Sequence, residues 1–444
     1  MASSGSSSPS PKRRRVGEAP AAGTDKLLSL PTEILDIILA RIPFKHLVRT
    51  CCLSRAWRRR WESVPFLDIE LSPGSSARVL WRCAAPVHGF RTVADVRRRN
   101  IYRAARWLRA LARKRVRELT LQFKPSSEIS RPNRLLGPAL FSCTALVRLH
   151  LENCNMPPAP QGFSGFPKLV WLTLDNITLP FKGGGAQLER LIAAATRLAV
   201  LELPAVFTSA TSDPGDIETW AIRAPNLREL FIIMPSAEDN GCRFAEELPL
   251  LEKAYIVIDC LLGTQDFLDA FRRIATVNKL GFVSLYQSNN NLEGITWKFE
   301  NLRDAHLNTN FGKQSSVLSV VSLLKFAPDI EHLYIMADDT EWLEEDKIDE
   351  DSLNTEISGD LFARLKYVSL IGGVKYFSNQ MCFMKFLLSK ARSLQIFAVT
   401  FVYDDERKEW YVKACRELME CQKASPQVVF IPKLSYKPQQ TAGL

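Results

Sequence analysis

Leu146-Val-Arg-Leu149-His-Leu151 is followed, 23 residues on, by Leu169-Val-Trp-Leu172-Thr-Leu174. Both put apolar residues at the same three positions of a six-residue frame. The frame recurs as Val116-Leu119-Leu121, Leu198-Leu201-Leu203, Leu227-Leu230-Ile232, Leu251-Ala254-Ile256, Leu280-Val283-Leu285, Leu302-Ala305-Leu307, Ile330-Leu333-Ile335, Leu365-Val368-Leu370 and Leu394-Phe397-Val399. In chain order its first positions step by 30, 23, 29, 29, 24, 29, 22, 28, 35 and 29 residues. Alternate residues of a strand share a face, so the last two apolar positions point inward and the first anchors the turn into the strand. One repeat cannot bury so narrow a stripe; stacked repeats bury a continuous ladder. The pattern predicts an α/β solenoid, a curved horseshoe of stacked strands. Proline stands just before the frame at Pro167, Pro225, Pro249 and Pro328, where it breaks the preceding helical segment.

Ahead of the repeats, residues 25–70 read as three short helices. Pro31 suits the first turn of a helix that repeats Leu30, Ile34, Leu35, Ile38 and Leu39 at helical spacing. Ile42-Pro43 ends it. A second helix carries Leu47, Val48 and Cys51, and a third, capped by Ser54 and stopped by Pro65, puts Trp57 and Trp61 on one face. So small a unit needs a partner or a following domain to complete its core.

The chain has 444 residues and a net charge of +10, with 46% hydrophobic and 24% charged residues. That composition excludes bulk disorder. The charge is local. Lys12 to Arg15 contribute +4 inside a Ser/Pro/Ala/Gly leader, residues 1–24, and read as a nuclear import signal or a solvated tail. Residues 77–117 hold thirteen Arg or Lys and one acid, Asp95, leaving the rest of the chain at −6. Ile101, Ala104, Ala105, Leu108, Leu111 and Ala112 recur there at helical spacing, so this segment reads as a helix capping the first repeat with a basic outer face. Its aromatic content is too thin for stacking on single-stranded nucleic acid. Asp338 to Asp351 carry nine acids against Lys347, in a spacing that fits no calcium loop.

No apolar run reaches the ~18 residues needed to span a bilayer, so no membrane association is expected. The leader lacks the apolar stretch of a secretory signal, which points to the nucleus or cytoplasm. The ten cysteines form no CxxC pair and read as small buried residues. Asn176-Ile177-Thr178 matches the glycosylation triplet by chance. No phosphate-binding glycine loop, HExxH or GxSxG occurs, and the five histidines are scattered. Neither an enzyme nor a cofactor or metal site is expected.

Leu30-Pro31-Thr-Glu-Ile34-Leu35, Ile42-Pro43, Val48-Arg49-Thr50 and Leu53-Ser54-Arg55-Ala-Trp57-Arg58 with Trp61 occur in order, and over residues 27–67 the chain resembles the F-box of the plant F-box/leucine-rich-repeat family. Ala56 departs from a usual arginine. The repeats resemble that family's leucine-rich-repeat domain, and residues 361–431 its FBD segment, with marks at Leu365-Lys-Tyr-Val368, Phe386-Leu387-Leu388 and Leu394. The resemblance implies a leader at 1–24, an F-box at 25–70, the basic capping helix at 77–115, leucine-rich repeats at 116–360, FBD-like repeats at 361–431 and a tail at 432–444. It further implies a non-catalytic substrate receptor of a Skp-cullin-F-box ubiquitin ligase. Its partners would be a Skp-type adaptor, a cullin reached through it, and a protein substrate on the concave face. The alternative is a repeat scaffold outside any ligase, nuclear or bound to nucleic acid; the local charge argues against nucleic acid. Aligned to the family, the adaptor-facing residues are Leu30, Pro31, Ile34, Leu35, Ile38, Leu39, Ile42, Pro43, Leu47 and Val48, some of which must pack the F-box itself. The substrate face would be the side chains flanking each buried pair: Arg148, His150, Trp171, Thr173, Asp175, Glu229, Phe231, Tyr255, Phe282, Tyr286, His306, His332, Tyr334 and Tyr367.

Overall fold

A computed structural model of the chain describes residues 27–436 apart from 28, 54, 56, 72–79, 81–85, 95–97, 125–135, 181, 209–219, 235–241, 245–246, 259–263, 285–291, 293, 338–345, 349–352, 354–361, 373–376 and 404–407. The basic leader, Ser54, Tyr286 and most of the acidic run lie outside the described residues.

The strands are β1 (Phe66–Leu71), β2 (Gly89–Ala94), β3 (Glu118–Phe123), β4 (Arg148–Asn155), β5 (Trp171–Thr178), β6 (Val200–Leu203), β7 (Val206–Phe207), β8 (Trp220–Ile222), β9 (Glu229–Met234), β10 (Cys242–Phe244), β11 (Lys253–Ile258), β12 (Lys279–Ser284), β13 (Asp304–Thr309), β14 (His332–Ala337), β15 (Tyr367–Ile371), β16 (Ile396–Tyr403) and β17 (Val429–Tyr436). Among the described residues they form a 15-stranded parallel sheet in chain order, with β7 beside β5 and β8 paired separately with β10. A parallel neighbour requires a crossover, and several crossovers are helical. The helices are α1 (Thr32–Ala40), α2 (Phe44–Arg49), α3 (Arg98–Arg113), α4 (Gly184–Ala194), α5 (Thr264–Arg273), α6 (Gln314–Lys325), α7 (Phe377–Lys390) and α8 (Lys408–Glu420).

The inward ladder is continuous. Leu119, Leu149, Leu172, Leu201, Leu230, Ala254, Leu280, Ala305, Leu333, Val368 and Phe397 are register partners from strand to strand, and all are buried. Leu108, Leu188, Phe271, Val321, Leu387 and Leu418 from the crossover helices pack into the same core. The other sheet face is open, its side chains half-buried or exposed along most strands.

Several expectations change. The sheet starts earlier than residue 116. Val64-Leu67-Ile69 and Val87-Phe90-Thr92 supply two further repeats, and α3 is a crossover between β2 and β3, not a cap on the first repeat. The Leu280-Val283-Leu285 frame is out of register. Leu280 pairs with Ala254 and Phe282 with Ile256, so the frame is Val277-Leu280-Phe282. Phe282 is therefore a core residue, edge-on to Phe271 at 4.9 Å. It is not on the substrate face.

The third helix of the N-terminal unit is turns and a 3₁₀ segment, Arg60–Ser63. Arg55, Arg58 and Arg59 would stand at like-charge i, i+3 and i+4 positions on an α-helix, which is unfavourable. Arg60 instead reaches Asp36 of α1 at 3.0 Å. Trp57 and Trp61 are buried, and Phe44 meets Trp61 edge-on at 5.9 Å. Pro31 stands one residue ahead of α1.

Asn153 and Asn176 take left-handed backbone, φ 56° and 51°, one position past the register pair Glu152 and Asp175. Asparagine tolerates that region. The Asn176 amide donates to Asn153 Oδ1 at 2.6 Å, and Thr178 is buried, so the glycosylation triplet is packed into the sheet. The described part of the acidic run is also held. Asn379 donates to Asp346 O at 2.9 Å and accepts from the Ile348 amide at 3.0 Å. Of the described cysteines, 143, 154, 242 and 415 are buried, and burial pushes the Cys143 thiol up to about 12. Cys52 is exposed, against expectation. Among the described residues no helix is long and apolar enough to cross a membrane, and no cluster of metal-binding side chains occurs.

Candidate docking surfaces

The first surface is on the N-terminal helices. Helical geometry sorts the ten aligned residues. Leu35, Leu39 and Leu47 are buried, in the same core cluster as Trp57, Trp61 and Val64, so they are core and not adaptor-facing. Ile42 and Val48 are half-buried against the same core, and Leu30 is half-buried. Pro31, Ile34, Ile38 and Pro43 are exposed. Ile37, at 58% exposure, and Leu53, at 68%, are exposed too and stand outside the ten. Their signal was available: Ile34, Ile37 and Ile38 stand at i, i+3 and i+4. Exposed branched aliphatic residues grouped on one short helix mark a contact surface.

The second surface is the open sheet face. Parallel pairing lines its side chains into columns. Glu118, Arg148, Trp171, Val200, Glu229, Lys253, Lys279, Asp304, His332 and Tyr367 form one. Thr120, His150, Thr173, Glu202, Phe231, Tyr255, Gly281, His306 and Tyr334 form the next.

Arg148 lies over the Trp171 ring at 4.8 Å. The Trp171 indole N–H donates to Thr173 Oγ1 at 3.0 Å, and the Thr173 hydroxyl donates to Glu202 Oε2 at 2.7 Å. Thr173 is thereby buried and serves to hold Glu202. His150 Nε2 stands 3.7 Å from Glu152 Oε2. Burial, and then the Glu152 charge, raises Asp175 above the ordinary carboxylate range. Glu229 and Lys253 pair at 2.7 Å.

Farther along, Phe231 and Tyr255 stack at 5.2 Å, His306 and Tyr334 at 4.2 Å, and Tyr334 and Tyr367 meet at 5.3 Å. His332 lies 2.8 Å from Asp304 and 6.2 Å from the Tyr367 ring. Burial, and then the Lys279 charge, lowers His306 below the ordinary imidazole value. The structure thus brings together the expected residues of β4 to β15, except Phe282, which is core, and Tyr286, which lies outside the described residues. Glu152, Glu202, Met336 and Ile371 were missed. Glu152 and Met336 lie two residues from His150 and Tyr334, Glu202 is the register partner of Thr173, and Ile371 that of Met336.

Residues 27–69 match the F-box domain family. Residues 104–335, just over half of the chain, match the family model described as the LRR repeats of FBD-associated F-box protein At5g56370. Relatives from Arabidopsis thaliana include the F-box/FBD/LRR-repeat protein At1g13570, 28% identical over 49% of this chain and 50% of that one. The putative F-box/LRR-repeat protein At5g02700 is 30% identical over 36% and 34%, and the F-box protein At1g60400 is 28% identical over 52% and 57%. These matches span from about a third to somewhat over half of the relatives' own length. A solved LRR protein of Leptospira interrogans, LIC12759, covers 84% of this chain and 92% of its own at 12% identity, with a TM-score of 0.36, too distant to carry an argument. With an F-box at its start and that repeat family over more than half its length, the chain belongs to the plant FBD-associated F-box/LRR-repeat proteins.

Proposed function

We propose that the chain is a non-catalytic substrate receptor of a Skp-cullin-F-box ubiquitin ligase. Its F-box holds a Skp-type adaptor, through it a cullin, and its open sheet face holds the protein to be ubiquitinated. The boundaries follow the reading above, with the repeats extended back to Phe66, residues 361–431 as the FBD-like end of the ladder, and nucleus or cytoplasm as the site of action.

The observation that carries this reading is the set of exposed residues Ile34, Ile37, Ile38 and Leu53 on an F-box whose core is completed by the sheet it packs on. Among the described residues those side chains are 40% to 68% exposed and stand outside the buried core. F-box and sheet also share one continuous core, from Leu35 to Leu418, so a partner on the helices and one on the strands are held on a common support.

Copurification of the full chain with a Skp-type adaptor tests it. Wild type is expected to bind, and an Ile34→Asp, Ile37→Asp variant to lose binding while keeping its melting temperature. Equal adaptor recovery for the two proteins would sink the reading.

A further inference from the structure

The open face carries two chemistries in sequence. Across β4, β5 and β6, Glu152, Asp175 and Glu202 set three carboxylates beside Arg148, which is turned onto Trp171, and His150, 3.7 Å from Glu152. Glu152 and Asp175 are register partners on adjacent strands. Like charges placed directly opposite each other across strands repel. Among the described residues neither Asp175 nor Glu202 has an ion-pair partner, and Glu202 is fixed on the face by the Thr173 hydroxyl at 2.7 Å. From β9 to β15 the same face becomes aromatic and aliphatic: Phe231, Tyr255, His306 and Tyr334, flanked by exposed Met336 and Ile371. The charges bordering that stretch are largely paired, Glu229 with Lys253 and Asp304 with His332.

A ligand that suits both halves must bring positive charge to one end and apolar surface to the other. Strand spacing sets its length. Five strand steps separate β9 from β15. At about 4.8 Å per step that is about 24 Å, or about seven residues of an extended peptide laid across the strands. The two steps from β9 back to β5 add about three residues.

We propose that the substrate element read by this face is an extended segment of about ten residues lying across the strands, with Lys or Arg over Glu152, Asp175 and Glu202 and apolar or aromatic side chains on the Phe231–Tyr334 stretch. This rests on the open face being the substrate site. A cation set between the carboxylates relieves their repulsion, so charge selects the substrate while the aromatic stretch supplies most of the contact area.

A display library of random dodecamers, panned on the full-length chain, provides the probes. Enriched peptides are then measured by fluorescence anisotropy against wild type, an Asp175→Asn, Glu202→Gln variant and a Tyr255→Ala, Tyr334→Ala variant. The expected hits carry Lys or Arg about three residues from an apolar run. They are expected to weaken about tenfold in the carboxylate variant, with loss of salt dependence, and at least as much in the tyrosine variant. Hits without a basic residue, or hits that lose affinity in the tyrosine variant alone, overturn the proposal and leave the receptor reading standing. No enrichment, or hits indifferent to both variants, overturns the proposal as well; the receptor reading is decided separately by adaptor copurification.

Discussion

Gly281 shows how much a single residue of this face depends on its neighbour in register. It is the partner of Tyr255 on the adjoining strand, and a Cβ built on it would lie 2.0 Å from Tyr255 Cδ2. The Tyr255 ring therefore lies over the glycine, bridging the step between Phe231 and His306. Phe66 and Gly89 repeat the device at the other end, again as register partners and again at 2.0 Å. A ring over a strand glycine covers backbone that would otherwise be bare. Tyr255 is partly exposed and can swing away, so Gly281→Ala should cost only about the 0.5–1.5 kcal/mol of a lost aromatic contact. Adding Tyr255→Ala should remove most of that penalty, since the two sites are directly coupled. Chemical denaturation of the two single variants and the double variant measures this; additive losses would show that the ring and the glycine do not interact. Nothing in the residue order near position 281 announces such a pairing, because it exists only once two strands 26 residues apart are in register.

At the scale of elements, α1 separates what the residue pattern left mixed. Ile34 and Leu35 are adjacent and chemically alike, yet one is exposed and the other buried. Leu35→Ala should destabilise by about 2–5 kcal/mol, as expected for a buried leucine, and Ile34→Ala by far less. Thermal unfolding of the two variants checks this, and similar losses would mean that both side chains are core. The apolar marks of the family could not tell them apart, since docking and packing both call for aliphatic residues. The same ambiguity displaced β12. Val277, Leu280, Phe282 and Val283 are all apolar, so two frames fit, and burial of Phe282 against Phe271 selects one. The chosen frame also makes the spacing more even, 26 and 25 residues in place of 29 and 22, a cue present in the chain itself. Where one frame alone was apolar, as at Leu149 and Leu172, the reading gave the observed register. The first two strands were hidden for other reasons. Val64-Leu67-Ile69 fits the frame but adjoins the F-box, and Thr92 puts a polar atom where the frame has an aliphatic one. The third F-box helix failed through charge: Arg55, Arg58 and Arg59 outweigh the good spacing of two tryptophans.

For the whole molecule, the two ends of a parallel ladder raise one problem, since an unpaired strand edge invites a further strand. At the first end α2 packs against β1, so the F-box covers the sheet as well as presenting its own exposed face. At the other end β17 has β16 as its sole sheet neighbour among the described residues, and Val429 and Leu434 are exposed. The Val429 N–H donates to Gln395 O at 2.8 Å, toward the inside. Backbone direction alternates along a strand, so residues an odd number of positions from Val429 turn their N–H groups to the open edge. Residue 432 is one of these, and it is proline, with no N–H to offer. The side chain stands opposite Val399 on the inward side, where valine would fit nearly as well. Pro432→Val should therefore leave the fold and adaptor binding intact while restoring an edge donor beside exposed Val429 and Leu434. Two such edges can pair about a two-fold axis, burying the same residues from each copy. Sedimentation analysis over a range of concentrations should show the variant entering a dimer at concentrations where wild type stays monomeric. A variant that remains monomeric throughout would mean that the edge is closed by something other than the missing N–H.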